Sequence, residues 1–167
     1  MSTWTHVNAV IRLDSMESLF GGVGSIKRKL KDLIGPVYLP YKNDEELNNK
    51  YWTETNKDDN IKLPCGSEGT LHVALYRNPD VHSIASHTLA IFGDLRDFDS
   101  TKEIYNWFNQ LCKDLKDFEK SGCMGIRSAV CEAETEFTGK IELYIYNNDE
   151  ENSEIEVIEV NTESKEI

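Results

Sequence analysis

No apolar run in this chain approaches the roughly 18–20 residues that a membrane-crossing helix needs, and no charged start followed by an apolar stretch marks a secretion signal. From these two lacks we expect a cytoplasmic chain with no membrane partner. Cysteine is sparse: Cys65, Cys112, Cys123 and Cys131 form no C-x-x-C pair and have no companion histidine at zinc-finger spacing. That pattern argues against a metal site and, in a reducing compartment, for free thiols. Positive charge is also short. Against 30 Asp plus Glu stand 18 Lys plus Arg, a formal charge of −12, which excludes a sequence-independent grip on the phosphate backbone of nucleic acid.

What remains is enough for one ordinary domain. The 167 residues are 39% hydrophobic and 29% charged, long enough to bury a core and too apolar for disorder throughout. We expect a single α+β domain over residues 1–160 and a frayed acidic tail over 161–167. The charge is unevenly placed. Residues 132–167 hold 12 acids, Asp149 and 11 Glu, against Lys140 and Lys165, a net of −10 that leaves −2 for the first 131 residues. Lys outnumbers Arg 13 to 5, a bias of AT-rich coding that points to a low-GC bacterium or its phage.

Alternation predicts a strand over 4–13, with Val7, Ala9, Ile11 and Leu13 on one face and Trp4, His6, Asn8 and Arg12 on the other. Ser25 as N-cap, an apolar stripe of Ile26, Leu30, Leu33 and Ile34, and the stop at Gly35-Pro36 predict a short helix over 26–34. Strands follow over 70–77 and 87–95, joined by a turn at Asn78-Pro79-Asp80. The clearest helix runs from Asp99 or Ser100 to Lys120, where Ile104, Trp107, Phe108, Leu111, Leu115 and Phe118 recur at helical spacing. A strand over 126–137 completes the ferredoxin-like order βαββαβ. Two more, over 141–146 and 154–160, extend it by a C-terminal hairpin into a six-stranded, mainly antiparallel sheet with two helices on one face. The connection over 35–69 is too long and too aromatic, with Tyr38, Tyr41, Tyr51 and Trp52, for a bare linker, and we expect an extra hairpin or a lid there.

A three-residue loop at Thr138-Gly139-Lys140 pairs Phe137 with Ile141, Thr135 with Leu143 and Ala133 with Ile145. In that register Glu132, Glu134, Glu136, Glu142, Glu154 and Glu156 share one open face with Tyr144 and Tyr146. Like charges set opposite one another cost roughly 0.2–1 kcal/mol per pair, a cost that a cationic partner reverses, and tyrosines are favoured interface anchors.

Catalytic signals are thinner. His6 and His72 are expected on the open face, two strand spacings or about 9–10 Å apart, where one imidazole as general base and one as general acid would suit a phosphate ester. This arrangement resembles the two-histidine phosphoesterases, and the stretch from His87 to Asp94 is similar to their first motif. That family places a hydroxyl residue two positions after each histidine. Here those positions hold Asn8, Ala74 and Leu89. Gly21-Gly22-Val23-Gly24-Ser25 lacks the Walker pattern and the tight strand-to-helix turn of a dinucleotide site, so no cofactor is expected. The sequence thus points first to a non-enzymatic binding protein, an acidic inhibitor or immunity-type protein that engages a basic, nucleic-acid-binding protein surface. A small phosphoesterase or phosphorylated-ligand-binding domain using His6 and His72 is the alternative, and a homodimer through the open sheet face is the third expectation.

Overall fold

The computed structural model describes residues 2–15, 30, 33–34, 63–77, 85–98, 100–120, 124–148 and 154–161. Six strands and one long helix are built from them: β1 (Trp4–Ser15), β2 (Leu71–Arg77), β3 (Ala85–Arg96), α1 (Thr101–Lys120), β4 (Met124–Thr135), β5 (Lys140–Tyr146) and β6 (Ile155–Asn161). All strands lie in one sheet of order β2-β3-β1-β4-β5-β6, and every neighbouring pair is antiparallel. The domain is therefore α+β, and β5 and β6 extend the sheet beside β4. Of the helix expected over 26–34, only Leu30, Leu33 and Ile34 are described; Leu30 and Ile34 are buried in the core. The turn expected at 78–80, most of the 35–69 connection and the tail beyond Asn161 lie outside the described residues.

Alternation in β1 does what the pattern predicted. Val7, Ala9, Ile11 and Leu13 are buried, and they meet Leu71, Val73 and Leu75 of β2 and Leu89, Ile91 and Leu95 of β3 in a single core. The helix closes that core from one side. Ser100 caps it, its Oγ accepting from the Glu103 amide at 3.3 Å, and Ile104, Phe108, Leu111, Cys112 and Leu115 are buried beneath it, with Trp107 packed at the margin. The helix lies over β4 and reaches β5 only at its near side. Cys112 and Cys131 are buried free thiols; burial pushes the Cys112 thiol up to about 12 and Cys131 well above its usual range, so both act as small hydrophobes rather than nucleophiles.

The hairpin β4–β5 departs from the expected register. Thr135 pairs with Lys140, which makes the loop four residues, 136–139, instead of three. The amides of Thr138 and Gly139 both donate to the Thr135 carbonyl, at 3.2 and 2.9 Å, and Gly139 takes φ +60°, a left-handed conformation that a side chain disfavours. One residue more in the loop exchanges the faces of β5. Tyr144, Tyr146 and Glu142 turn to the helix side and are buried, while Ile141, Leu143 and Ile145 are left half-buried on the open side. Glu132 is thus opposite Leu143 and Cys131 opposite Tyr144. In β6, Tyr144 is opposite Val157 and Ile145 opposite Glu156.

The physical reason lies in what each register buries. Tyrosine fills more space under a helix than leucine or isoleucine does, and here its polar end is also satisfied. The Tyr144 hydroxyl donates to the Glu142 carboxylate at 2.5 Å and lies 3.0 Å from the Thr101 carbonyl. Its ring stands edge-on to Tyr105 at 5.5 Å.

Two substitutions test this account. Leu111→Asp removes an apolar group worth about 1.5–3 kcal/mol and buries a charge; we expect an unfolded or aggregated protein by circular dichroism, and an unchanged melting curve would show the helix to be peripheral. Gly139→Ala forces a side chain into the left-handed turn and should cost about 1–2 kcal/mol in a denaturant titration.

Candidate functional site

Among the described residues the helix covers one face of the sheet and no element covers the other. Across the open face run rows of side chains set by the strand register. One row is Asp94, His6, Glu134, Ile141 and Val160; the next is His72, Phe92, Asn8, Glu132, Leu143 and Ile158; the third is Ala74, Ala90, Val10, Val130, Ile145 and Glu156. A fourth holds Tyr76, Thr88, Arg12 and Ser128. Large apolar groups are uncovered here: Val10 is 42% exposed, Phe92 41% and Val130 39%. A bare apolar area on a sheet is a mark of an interaction surface.

Charge is sorted along the strands. At one end stand Asp94, Glu134 and Glu136 around His6. At the other stand Arg12 and Arg127, beside an open groove of about 710 Å³ floored by Val10, Val130 and Ile145. Arg127 reaches this face through a bulge: Arg12 pairs with Ser128 and Leu13 with Ile126, so Arg127 is the extra residue. Regular alternation would have turned it to the core, and the bulge turns it outward, where its guanidinium bonds Asp14 at 2.8 Å.

The residues expected to form one acidic face are divided. Glu132 and Glu134 are on the open face, Glu136 is exposed in the turn beside them, Glu154 is exposed just before β6, and Glu156 is exposed on the open side of β6. Glu142, Tyr144 and Tyr146 are not with them. They are buried on the helix side, because the four-residue turn reverses β5. Burial raises the Glu142 carboxyl, but hydrogen bonds from Lys140, Tyr144 and Thr101 more than reverse this and hold it below its usual range. Lys140 bridges Glu142 at 2.6 Å and Glu159 at 2.8 Å, which relieves the repulsion between two carboxylates that face each other across β5 and β6.

His6 and His72 share the open face, with β3 between their strands as expected. Their settings differ. The His6 Nδ1 is 2.6 Å from Asp94 and its Nε2 3.4 Å from Glu136. The hydrogen bond to Asp94, with Glu136 adding to it, outweighs desolvation and raises the imidazole pKa. His72 packs against Phe92 with ring centroids 5.8 Å apart and ring planes tilted by 50°, and desolvation lowers its pKa, opposed by Asp94. Both His6 ring nitrogens are occupied by carboxylates, and carboxylates around an imidazole repel a phosphate. His87 is buried on the helix side and is not part of this face. Residues 21–25 lie outside the described residues. Among the described residues no group of His, Cys, Asp or Glu is placed to hold a metal ion, and no helix is long and apolar enough to cross a membrane.

Sequence reasoning missed three features of this surface. Arg127 was hidden because alternation does not announce a bulge. Asp94 lies in a strand expected beside β1, but the alternation gives no register for that pair, and its place opposite His6 follows only once the register is known. The apolar row Ile141, Leu143 and Ile145 was assigned to the core. Comparison with protein-family models, with curated proteins and with solved structures gave no match.

The raised His6 pKa has a consequence for stability. The folded value lies above the unfolded value of about 6.5, so the His6–Asp94 pair stabilises fully below that pH and fades as pH rises through the folded value. Asp94→Asn should therefore lower Tm more at about pH 5.5 than at about pH 9. Equal losses at both pH values would show that the ion pair contributes nothing.

Proposed function

We propose that this chain is a non-enzymatic, cytoplasmic binding protein whose acidic C-terminal edge engages a basic protein surface. The observation that carries this reading is the exposure of β6 on both sides: every residue from Glu156 to Val160 is exposed, because the helix ends short of this strand. Glu156, Ile158 and Val160 lie on the open side; Val157 and Glu159 lie on the other. Among the described residues β6 is the outer strand, so its far side offers backbone groups to a further strand. Glutamates along such an edge discourage pairing with a like copy and favour a partner rich in Lys and Arg.

An inhibitor or immunity-type protein is the specific form we favour, since a surface shaped to hold a line of phosphates also accepts a line of carboxylates. The fold we propose beneath it is the ferredoxin-like plan with a second helix on the covered face, supported by the strand order and by the burial of Leu30 and Ile34. The phosphoesterase alternative rests on His6 and His72 alone. An imidazole held between two carboxylates has no ring nitrogen left to move a substrate's proton, which is why we rank binding first.

The test is a partner captured from the host and then titrated directly. Glu154→Lys combined with Glu156→Lys should weaken that complex at least tenfold and leave the melting temperature unchanged, because both side chains are exposed. Wild-type affinity should fall as ionic strength rises from about 0.1 to 1 M and the screening length shrinks from about 10 to 3 Å. A captured partner that is acidic, or one that binds the double variant at wild-type strength, would remove this reading.

A further inference from the structure

The open face is a second surface, which shares Glu156, Ile158 and Val160 with the β6 edge, and its charge pattern names its occupant. Turn the face over onto a copy of itself about an axis running along the strands, and each row meets its own counterpart: Asp94 and Glu134 then face Asp94 and Glu134. Turn it about an axis running across the strands, between the His72–Ile158 row and the Ala74–Glu156 row, and the ends are exchanged. The acidic end of each copy then faces the arginine end of the other, while the two middle rows cover one another. A two-fold axis makes this happen twice with the same residues, as an isologous contact requires.

We propose that two copies of this chain pack open face to open face about the axis across the strands, Arg12 of each copy meeting the Asp94–Glu134–Glu136 end of its partner. Three carboxylates surround a single imidazole at that end, so it stays negative even when His6 is protonated. At the other end Asp14 offsets Arg127, and among the described residues Arg12 is the surplus cation there. Val10, Val130, Leu143, Ile145 and Phe92 form the apolar middle. Glu132 sits among them, its carboxylate 3.5 Å from the Asn8 amide, and keeping it there costs affinity. We therefore assign the attraction to the apolar rows and the register to the charged ends. Six strands about 4.8 Å apart and six residues of strand length make a face roughly 25–30 by 20 Å, or about 500–600 Å² in plan, at the lower end of the roughly 600–1,000 Å² that each partner of an ordinary interface contributes. The acids of β6 keep copies from joining edge to edge, which leaves the face as the route to self-association.

Analytical ultracentrifugation of the full chain over a wide concentration range tests this, with thermal melts to confirm folding. Wild-type protein should be a dimer that dissociates on dilution. Arg12→Glu makes both ends acidic and Glu134→Lys removes the acidic end's surplus; each variant alone should dimerise at least tenfold more weakly. Mixed in equal amounts, the two should recover a one-to-one dimer, because each altered end then finds its complement. Should Arg12→Glu fail to fold, Ser128→Glu, exposed and next to it in the same row, places the same charge there. Wild-type protein that stays monomeric at the highest concentrations, variants that dimerise as wild type does, or a mixture that does not recover would each overturn the proposal. Glu154 and Glu156 are unaltered in all of these variants, so loss of the dimer is separable from loss of a basic partner at the β6 edge.

Discussion

Tyr144 is buried under the helix only because its hydroxyl finds acceptors there. It donates to Glu142, two residues back on the same strand, and sits against the carbonyl of Thr101 at the start of the helix. Burial and the adjacent carboxylate keep the phenol protonated. Glu142 in turn remains ionised because Lys140, Tyr144 and the Thr101 side chain donate to it, and the N-terminal end of a helix favours a negative charge. This small network joins β5 to α1 and fixes which side of β5 looks inward. Everything outward of β4 on the open face follows from that choice.

The strands and the long helix were legible because each has one apolar stripe and no rival to it. Val7 to Leu13 read as a half-buried strand and are one; Ile104 to Leu115 read as an amphipathic helix and are one. In β5 the pattern offers two stripes, Ile141-Leu143-Ile145 and Tyr144-Tyr146, and hydrophobicity alone prefers the aliphatic one. What decides between them is a hydrogen-bond acceptor on Thr101, 43 residues earlier in sequence, together with a glycine able to adopt φ +60°. Neither is a periodic signal. The candidate acidic surface inherited the error: Glu132, Glu134, Glu154 and Glu156 remained outward, and Glu142, Tyr144 and Tyr146 moved to the core. His6 and His72 were placed on the correct face, since β1 and β2 have unambiguous parity, but the carboxylates that enclose His6 come from β3 and a turn, which no local pattern relates to it.

Among the described residues the sheet presents two kinds of uncovered surface, and their chemistry differs. The open face is broad, with an apolar middle and charges of opposite sign at its ends. The outer edge is narrow, exposed on both sides and acidic. A surface of the first kind suits a shape and charge pattern that repeats itself, and one of the second suits a basic partner. Cys112 and Cys131, sealed between helix and sheet, contribute packing to the layer that holds both surfaces in place.

The position of β1 has a consequence for how the chain comes together. Among the described strands it is the first in sequence, yet it lies inside the sheet, and its two neighbours are residues 85–96 and 124–135. One of its backbone edges therefore waits for residues 85–96 and the other for residues 124–135. Pairings this distant in sequence are slow to form, and a central strand waiting with an apolar face and two open edges is exposed to capture by other chains in the meantime. Capture of this strand by another chain before its partners arrive is the misassembly that this strand order invites.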